Sequence, residues 1–578
     1  MSAQRPLRVG LMLDSLTVPA WVAHVVQQLT DAEFVAPALV VLNAQTPARE
    51  RPFSRLRAPR RQRLAFNLYQ RIDARLFAAV PDAFAPRQIA TALAAVPVLS
   101  VCPLRPKPFE HRFSAEAIDR IRAADLDVLL RFGFNIIRGE ILKCARYGVW
   151  SYHHGDSREY RGAPDFFWEM YERNPVTGTV LQVLTDELDA GGVLYRSFTA
   201  TDPTSLHRGR NGAYWKSAEF VLRCLTDLHR HGWQQLSRSP HYGENAGYRK
   251  RLYRTPTTGQ MLVFAARLLA GMAARQARKL AFLKLWHVAY RPSGTGGATL
   301  AQPDRQQLTR WRRLHCPRGH YYADPFVVEH QGSCHVFFED YELATKRGVI
   351  SSARIDCSGR PETPSVSLQR QCHLSYPFVF RFDGDWYMVP ETREQHAIEL
   401  FKAIDFPRQW KPERVLLRDL DAVDPTILEH HGRFWLFACV ALPGAPIEDE
   451  LSLFYADSLR GEWMAHAMNP VVSDVRRARP AGRVIAHGAE LIRPAQDCSQ
   501  RYGGAVVFNR ITRLTPTEYQ EEPVGRLEPG ARGATLGTHT FNAADGWEVI
   551  DCERQSLRAL TWLSRSCNLG LRARALRG

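Results

Sequence analysis

The sequence lacks several patterns that would assign it to a protein class directly. Its 11 cysteines form no CxxC pair and are odd in number, so neither a disulfide framework nor a structural zinc site is indicated, and a cytoplasmic, reducing environment fits best. No GxGxxG motif follows the first apolar run at residues 7–13, which argues against a dinucleotide site. The chain does not open with a charged region followed by an uninterrupted apolar stretch, so its beginning predicts a first strand and not a signal peptide.

The segment most suggestive of a membrane span, 261–285, is too interrupted to be one. Arg267, Arg275, Arg278, Lys279 and Lys284 break its apolar runs, which fall short of the ~20 consecutive residues that a span requires. The pattern predicts an amphipathic basic helix. We interpret it first as a connector packed between two domains, and the alternative is peripheral contact with an anionic lipid membrane surface.

Acidic residues are too few to balance the basic ones. The chain has 76 Lys and Arg against 59 Asp and Glu, a formal charge of +17, with a local basic run at 49–63. Such an excess favours an anionic partner. The run is interpreted as a solvated loop, and no nucleic acid is expected as partner because no aromatic-interleaved basic motif or zinc finger accompanies it.

A phrase recurs five times in the second half of the chain. Each copy has a two-residue anchor, a β-rich segment, a glycine seven residues after the anchor, and usually another apolar segment. A strand, a tight turn and a return strand at a period of about 50 residues predict an all-β five-bladed propeller. The anchors and their glycines are Asp324-Pro325 with Gly332, Tyr376-Pro377 with Gly384, Asp424-Pro425 with Gly432, Pro480-Ala481 with Gly488, and Thr538-His539 with Gly546.

The first half of the chain alternates apolar β-type runs with helical patterns. This alternation predicts an open, mainly parallel α/β sheet. At 578 residues the chain is too long for a single core. We predict an α/β domain over 1–235, a basic helical linker over 236–300, the propeller over 301–555, and a basic tail over 556–578 that forms a short amphipathic helix.

Two motifs in the first half carry chemistry. Residues 148–162 read GVWSYHHGDSREYRG, and LTDELDAGGVL follows at 184–194. Their content and spacing resemble those of the 10-formyltetrahydrofolate-dependent formyltransferases, over about residues 5–230. The resemblance implies a formyltransferase-like fold and 10-formyltetrahydrofolate as the formyl donor. It also implies a catalytic histidine at His153, a catalytic aspartate at Asp189, and Ser151 at the place of the family's catalytic asparagine.

Formyl transfer to an amine explains why such residues are needed. The reaction requires a base or polariser near the attacking nitrogen, a carboxylate that orients it and moves protons, and a hydrogen-bond donor for the oxyanion. His153 and Asp189 match the first two requirements. For the third requirement, the oxyanion donor, this chain has Ser151 where the family has an asparagine. Losing one oxyanion donor can cost ~10²- to 10³-fold in rate. His154 and Asp156 are the predicted substitutes.

Two neighbouring segments are expected to complete this site. Tyr160, Arg161 and Gly162 are predicted to shape it, and the alternative is that they form only a turn. Residues 132–137 match the region where the family's chain passes the folate, so backbone contacts to the donor are expected there.

The repeats also predict a shared rim. In a blade, the start of the first strand and the end of the second lie on the same side, which gathers acidic residues around the channel. Such a rim suits sugar hydroxyls, a metal ion or the paired carboxylates of glycoside hydrolysis, and no metal ligand set is assigned. The predicted rim residues are Asp324, Glu339, Asp340, Tyr376, Glu391, Asp424, Asp497 and His539.

The phrases HLSYPFVF, WYMVPET, AVDPTI, RPAGR and RPAQDCSQRYG resemble the N-terminal domain of plant glucosamine inositolphosphorylceramide transferases, over about 285–555. The layout is also similar to that of arabinanase and xylosidase propellers, which place a base, an orienting Asp and a general-acid Glu at the starts of inner strands. Asp324 and Asp424 match the first two, whereas Arg479 stands where the Glu is expected. Glu391 or Glu490 could replace it, but a glycan-binding or substrate-presenting propeller is favoured.

These observations together predict transfer of a formyl group to the amine of an amino sugar, nucleotide-linked or glycan, in surface polysaccharide biosynthesis. One alternative is a catalytically inactive formyltransferase-like module on a glycan-binding propeller. Another is a glycoside-processing or glycosyl-transferring propeller. A tRNA substrate is disfavoured because an acidic rim repels phosphates. The pattern does not specify the sugar, its carrier or the oligomeric state.

Overall fold

The chain forms two compact units. The computed structural model describes residues 5–45, 58–107, 109–238, 242, 248, 250–293, 311–356, 358–529, 536–544 and 546–558. Contacts between residues assign Met1–Leu269 with Leu442–Pro446 to the first unit, and Ala270–Ala441 with Ile447–Gly578 to the second.

The first unit is built on a mixed, mainly parallel sheet of seven strands in the order β11-β10-β9-β7-β1-β3-β5. Strands β5, β3, β1, β7 and β9 pair in parallel, and β10 pairs antiparallel with β9 and β11. The strands of this unit are β1 (Leu7–Leu13), β2 (Thr17–Pro19), β3 (Val35–Asn43), β4 (Pro86–Gln88), β5 (Val98–Val101), β6 (Glu110–His111), β7 (Val128–Arg131), β8 (Ile136–Ile137), β9 (Val149–His153), β10 (Val176–Val183) and β11 (Val193–Ala200).

Helices cover both faces of this sheet. Val25 of α1 and Phe220 of α6 pack on one face, and Ile118 of α3 packs on the other, as a parallel sheet with apolar residues on both faces requires. The α-helices of the chain are α1 (Ala20–Asp31), α2 (Ala58–Leu76), α3 (Ala115–Arg122), α4 (Phe167–Glu172), α5 (Leu206–Ser217), α6 (Phe220–Leu236) and α7 (Thr258–Ala281), with 3₁₀ turns at Glu140–Lys143 and Arg393–Gln395. The predicted mainly parallel α/β sheet is thus present.

The second unit is a five-bladed β-propeller, as the repeats predict. Its strands fall into five separate antiparallel sheets. Four blades follow the chain in order: β14 (His320–His330), β15 (Ser333–Glu342), β16 (Arg347–Ile355) and β17 (Ser365–Leu368); β18 (Ser375–Phe382), β19 (Asp385–Glu391), β20 (Ala397–Asp405) and β21 (Gln409–Arg418); β22 (Asp421–His430), β23 (Arg433–Ala441), β24 (Glu450–Ala456), β25 (Met464–Ala465) and β26 (Val472–Ser473); β27 (Ile485–His487), β28 (Glu490–Asp497), β29 (Ala505–Leu514) and β30 (Tyr519–Leu527).

The fifth blade joins the two ends of the unit and closes the ring. Its strands are β12 (Phe282–Pro292), β13 (Arg312–Arg313), β31 (Phe541–Ala544) and β32 (Trp547–Leu557), in the order β13-β12-β32-β31. Strand β12 pairs antiparallel with β32 over its whole length, from Phe282 opposite Leu557 to Pro292 opposite Trp547. The expectation of a helical linker up to residue 300 is therefore corrected, because the helix ends at Ala281 and a propeller strand follows it.

The basic segment forms the helix α7, and no described helix combines the length and hydropathy needed to cross a bilayer. The predicted helical tail lies, from residue 559 onward, outside the described residues.

Three of the five repeats have left-handed backbone at the anchor, and all five have it at the turn glycine. Asp324, Tyr376 and Asp424 have φ values of 50°, 46° and 54°, and the strand register shifts beside each of them. Side chains other than glycine rarely adopt this left-handed region, and a bulge re-aims the side chain that it carries. The repeat glycines turn between inner and return strands with φ of 73°, 82°, 71°, 61° and 82° at Gly332, Gly384, Gly432, Gly488 and Gly546.

The turn glycines give a direct test of this backbone account. A methyl group added at Gly432 meets no atom within 4 Å, so Gly432→Ala costs only the left-handed backbone, about 1 kcal/mol of unfolding free energy. Gly259 in α7 is equally uncrowded but has no positive φ, and Gly259→Ala is the matched control, with stability unchanged or higher. Denaturant unfolding of both variants checks the difference, and equal stabilities would contradict the account.

Candidate functional site

Strand β9 carries the first group of functional side chains. Trp150 and Tyr152 point to the face that packs against α1 and α6, so Ser151 and His153 point to the opposite face. Ser151 and His153 are both buried. The alternation of the strand thus brings these two polar residues to one side at the end of a central strand.

The His153 ring is fixed by a backbone carbonyl. Its Nε2 lies 2.7 Å from the backbone carbonyl oxygen of Tyr160. Because a carbonyl oxygen only accepts hydrogen bonds, Nε2 must carry a proton. Gly155 makes this bond possible, since a Cβ there would lie 2.9 Å from Nε2 and 3.0 Å from the Tyr160 oxygen. The bond leaves Nδ1 as the ring nitrogen available for chemistry.

Asp189 faces that nitrogen. It lies in the loop between β10 and β11 with φ 54°, and its Oδ1 is 3.5 Å from His153 Nδ1. The Gly162 backbone N–H donates to the other carboxylate oxygen at 3.1 Å. The structure therefore brings together the two residues predicted to form the catalytic pair.

Ser151 has a partner that sequence reasoning missed. Arg131 ends the neighbouring strand β7 in register with Ser151, and its Nη1 donates to the Ser151 hydroxyl at 2.9 Å. The carbonyls of Phe134 and Asn135 hold the same guanidinium. Burial lowers the pKa of Arg131, and the charges of Asp189 and Asp14 oppose that shift. The signal in the sequence was an arginine at the end of an apolar strand.

The two predicted substitutes for Ser151 lie in other networks. The His154 ring stacks on Tyr214 at a centroid distance of 3.6 Å, and burial lowers its pKa to about 3, so it stays neutral. Asp156 forms ion pairs with Arg158 and Arg196. Neither side chain makes a described contact with Ser151, whereas Arg131 hydrogen-bonds to its hydroxyl.

The YRG segment borders the His153–Asp189 pair. The Tyr160 hydroxyl donates a hydrogen bond to the Glu172 carboxylate at 3.1 Å, and the Arg161 guanidinium donates one to the Ser157 carbonyl at 2.9 Å. Gly162 holds Asp189, as described above. A narrow cavity borders this segment and His153, and its wall includes Glu169, a buried carboxyl whose pKa burial raises to about 8.

The segment expected to contact the formyl donor is largely bonded within the protein. The Phe134 N–H donates to Asp14 at 2.8 Å, the Asn135 N–H donates to His111 at 3.2 Å, and both carbonyls accept from Arg131. Strand β6 also pairs with β8 beside them. Residues 134 and 135 therefore do not offer the open backbone groups that the resemblance implies for the folate.

A second cluster lies where the propeller blades converge. Asp324 Oδ1 is 2.9 Å from His539 Nε2, and Asp551 Oδ2 is 3.0 Å from His539 Nδ1. Burial alone would lower the pKa of His539, but Asp551 and Asp324 raise it well above its usual range. His539 is thus an imidazolium between two carboxylates. Asp551, on the closing strand β32, was not predicted from the sequence.

A third cluster pairs Asp424, the aspartate of the third repeat anchor, with a buried cation. Arg479 Nε donates to Asp424 at 2.6 Å, and the Gln496 amide donates to the same carboxylate oxygen at 2.9 Å. Burial alone would lower the pKa of Arg479, but Asp424 raises it well above its usual range. The residue that replaces the expected glutamate is therefore a buried counter-ion for Asp424.

Burial favours the protonated form of two glutamates beside these clusters. Burial raises the pKa of Glu391 to about 8, and the charge of Asp424 adds to the shift. Burial also raises the pKa of Glu339 well above its usual range, and the charge of Asp324 adds to it. Protonated carboxyls donate as well as accept hydrogen bonds, which suits sugar hydroxyls.

Not every predicted rim residue belongs to this centre. Tyr376 does, since it accepts from the Gly482 N–H at 2.7 Å and its own N–H donates to Asp324. Asp340 bonds His320 and Ser351, and Asp497 bonds Arg526. Glu490 forms an exposed ion pair with Arg510. These three carboxylates are corrected to peripheral positions because they lie on strand faces or ends that turn away from the centre.

The central groups also bear on metal binding and on hydrolysis. Among the described residues, Asp324, His539 and Asp551 are the group close enough to hold a metal ion, and binding one would release the proton that the two carboxylates favour on His539. Glycoside hydrolysis needs one free carboxylate and one acid. Both anchor aspartates have a buried cation as partner, which favours binding over hydrolysis.

Comparisons with known proteins concern the second unit. Residues 315–563 match the family described as "Glucosamine inositolphosphorylceramide transferase 1, N-terminal". The transferase of that name from Oryza sativa subsp. japonica is 33% identical over 246 residues, which cover 42% of this chain and 32% of that protein. The one from Arabidopsis thaliana is 35% identical over 216 residues, 36% of this chain and 28% of that protein. The chain thus spans about a third of the length of these relatives, and the predicted resemblance of this region is confirmed.

Similar solved structures include a thermostable family-43 glycoside hydrolase, 12% identical with a TM-score of 0.29, covering 39% of this chain and 86% of that one. An exo-1,5-alpha-L-arabinanase from a bovine ruminal metagenomic library is 14% identical with a TM-score of 0.30, covering 42% and 94%. Values this low say nothing about chemistry. The resemblance of the first unit to formyltransferases stays a prediction.

The imidazolium gives a pH-dependent stability prediction. Because the folded pKa of His539 lies above its ordinary value of ~6.5, the ion pairs contribute fully below that pH and are lost as pH rises through the folded pKa. His539→Gln should cost about 3 kcal/mol at mildly acidic pH and less at alkaline pH.

Denaturant unfolding at several pH values measures this, with the exposed His487→Gln in β27 as the control that changes little at any pH. A His539→Gln penalty that grows with pH would contradict the assignment.

Proposed function

We propose that the first unit transfers a formyl group, with 10-formyltetrahydrofolate as donor, to the amine of an amino sugar that is nucleotide-linked or part of a glycan. The process it serves would be surface polysaccharide biosynthesis, and the propeller would bind the carbohydrate. The observation that carries the proposal is the approach of His153 Nδ1 to Asp189 Oδ1 at 3.5 Å, with Nε2 held by Tyr160.

The chemistry follows from that geometry. The amine nitrogen forms a bond to the formyl carbon, and a proton leaves this nitrogen for His153 Nδ1 or Asp189. The bond from the formyl carbon to the donor nitrogen then breaks, and the proton passes to that nitrogen. Tyr160 keeps the ring oriented throughout, since its carbonyl accepts from Nε2 and leaves Nδ1 toward Asp189.

Arg131 supplies the oxyanion donor in this proposal. Ser151 replaces the family's asparagine, but Arg131 bonds its hydroxyl and lies close enough to Asp189 for their charges to interact. A cationic N–H donor is roughly twice as strong as a neutral one. A serine backed by an arginine therefore provides positive charge for the negative oxygen that forms during transfer.

The catalytic pair is tested by substitution. His153→Ala and Asp189→Asn should each lower kcat/KM for formyl transfer to an amino-sugar amine by ~10²- to 10⁴-fold, with the fold retained. Asp119→Asn, whose side chain is 76% exposed on α3, is the control and should keep full activity.

Release of tetrahydrofolate and the mass of the formylated sugar are the readouts. Wild-type protein that binds the donor without transfer to any amino sugar would favour the inactive-module alternative. Equal activity of wild type and both variants would contradict the assigned pair.

The role of Arg131 is tested by exchanging the donor. Arg131→Met should lower kcat by ~10²-fold, mostly without a change in KM, because the lost bond forms in the transition state. Adding Ser151→Asn to Arg131→Met should restore much of the loss by returning the family's amide. A folded Arg131→Met variant with full kcat, or one that Ser151→Asn does not rescue, would contradict this role. Arg131 would then only hold the backbone carbonyls of residues 134 and 135.

The propeller's proposed role is carbohydrate binding. Tyr502 is 40% exposed, and the Arg479 guanidinium and the His539 ring lie against its ring, so it offers an aromatic surface beside the N–H donors of these two side chains. Aromatic faces and such hydrogen-bond donors suit sugars. Its relatives are named "Glucosamine inositolphosphorylceramide transferase 1", which keeps a glycosyl-transferring propeller as the alternative.

A further inference from the structure

Large apolar side chains line the outer surfaces of α2 and of residues 258–269, the part of α7 that belongs to the first unit. On α2, Leu64, Leu68, Ile72 and Leu76 follow each other at four-residue spacing and are between 48% and 71% exposed. On this part of α7, Leu262 and Leu269 are 68% and 65% exposed. Single exposed leucines are ordinary, but repeated ones on adjoining helices indicate a surface that becomes covered.

These side chains do not serve the fold, because the helices pack through their other faces. Phe66 and Tyr69 of α2 and Phe264 and Leu268 of α7 belong to one apolar cluster, in which the Tyr69 and Phe264 rings lie 5.2 Å apart. The leucines at four- and seven-residue spacing lie away from that cluster. Each helix thus has one apolar face in the core and a second one in solvent.

The charge of the two helices restricts what covers them. Residues 258–269 of α7 carry Arg267 and no acidic residue. The exposed side of α2 carries Arg71 and Arg75 among its leucines, and Asp73 is buried. A helix with leucines on one side and Arg and Lys around them is typical of segments that lie in the headgroup region of a bilayer.

We propose that α2 and residues 258–269 of α7 bind the surface of an anionic lipid membrane. The leucines would enter the boundary between headgroups and acyl chains, and the arginines would pair with lipid phosphates and carboxylates. A second copy of this chain would oppose like charges across the contact, which costs affinity. A nucleic acid would use the cations but not the leucines. Anionic lipid is the one partner that uses both.

The test is co-sedimentation of the full chain with vesicles of phosphatidylcholine alone or mixed with phosphatidylserine. We expect binding to the mixed vesicles, weakened by added salt, and little binding to the neutral ones. Leu262→Ser with Leu269→Ser should weaken binding about tenfold or more. Arg71→Gln with Arg75→Gln in α2 should weaken it about tenfold and reduce the salt dependence.

Ile404 provides the matched control, because it is 64% exposed on a propeller strand, and Ile404→Ser should bind vesicles as wild type does. The proposal is overturned if wild type does not bind mixed vesicles, if it binds neutral vesicles equally well, or if the leucine variant binds unchanged. It is also overturned if wild type is a dimer that the leucine variant converts to monomer without any vesicle binding, since the surface would then contact a second copy.

Discussion

The hydrogen bond from His153 Nε2 to the Tyr160 carbonyl, 2.7 Å long, decides which atom of the first unit is available for chemistry. It commits one ring nitrogen to a fixed donor role and directs the other to Asp189. Gly155 leaves the room for it, and Gly162 holds Asp189 in place. The proposed formyl transfer depends on this arrangement, because a ring free to turn would present either nitrogen to the amine.

The propeller shows how buried charges limit chemistry. Asp324 and Asp424 have the strand-start positions that resemble those of hydrolases, but His539 and Arg479 neutralise them inside the protein. Breaking such a buried pair costs several kcal/mol, so neither aspartate becomes a free base easily. The proposed carbohydrate binding is consistent with a centre whose two anchor aspartates are both paired with buried cations.

Sequence patterns predicted the features that depend on residues close together in the chain, namely the turns and the strands beside them. The five glycines take left-handed backbone because a tight turn demands it there, and the strands on either side follow from alternation. The closing strand β12 escaped prediction because its partner β32 begins more than 250 residues later, and a helix precedes it directly. Arg131 and Asp551 were missed for the same reason, since each acts through a neighbour on another strand. Asp340, Asp497 and Glu490 have the right residue type but the wrong strand face or end.

The central claim is that Tyr160 keeps a proton on His153 Nε2 and leaves Nδ1 for the reaction. Nitrogen-15 NMR of the histidine rings, with His153→Gln for assignment, reports which nitrogen of the neutral ring carries the proton. The account predicts that the neutral His153 ring has its proton on Nε2 and a bare Nδ1. A form with the proton on Nδ1 and a bare Nε2 would contradict it.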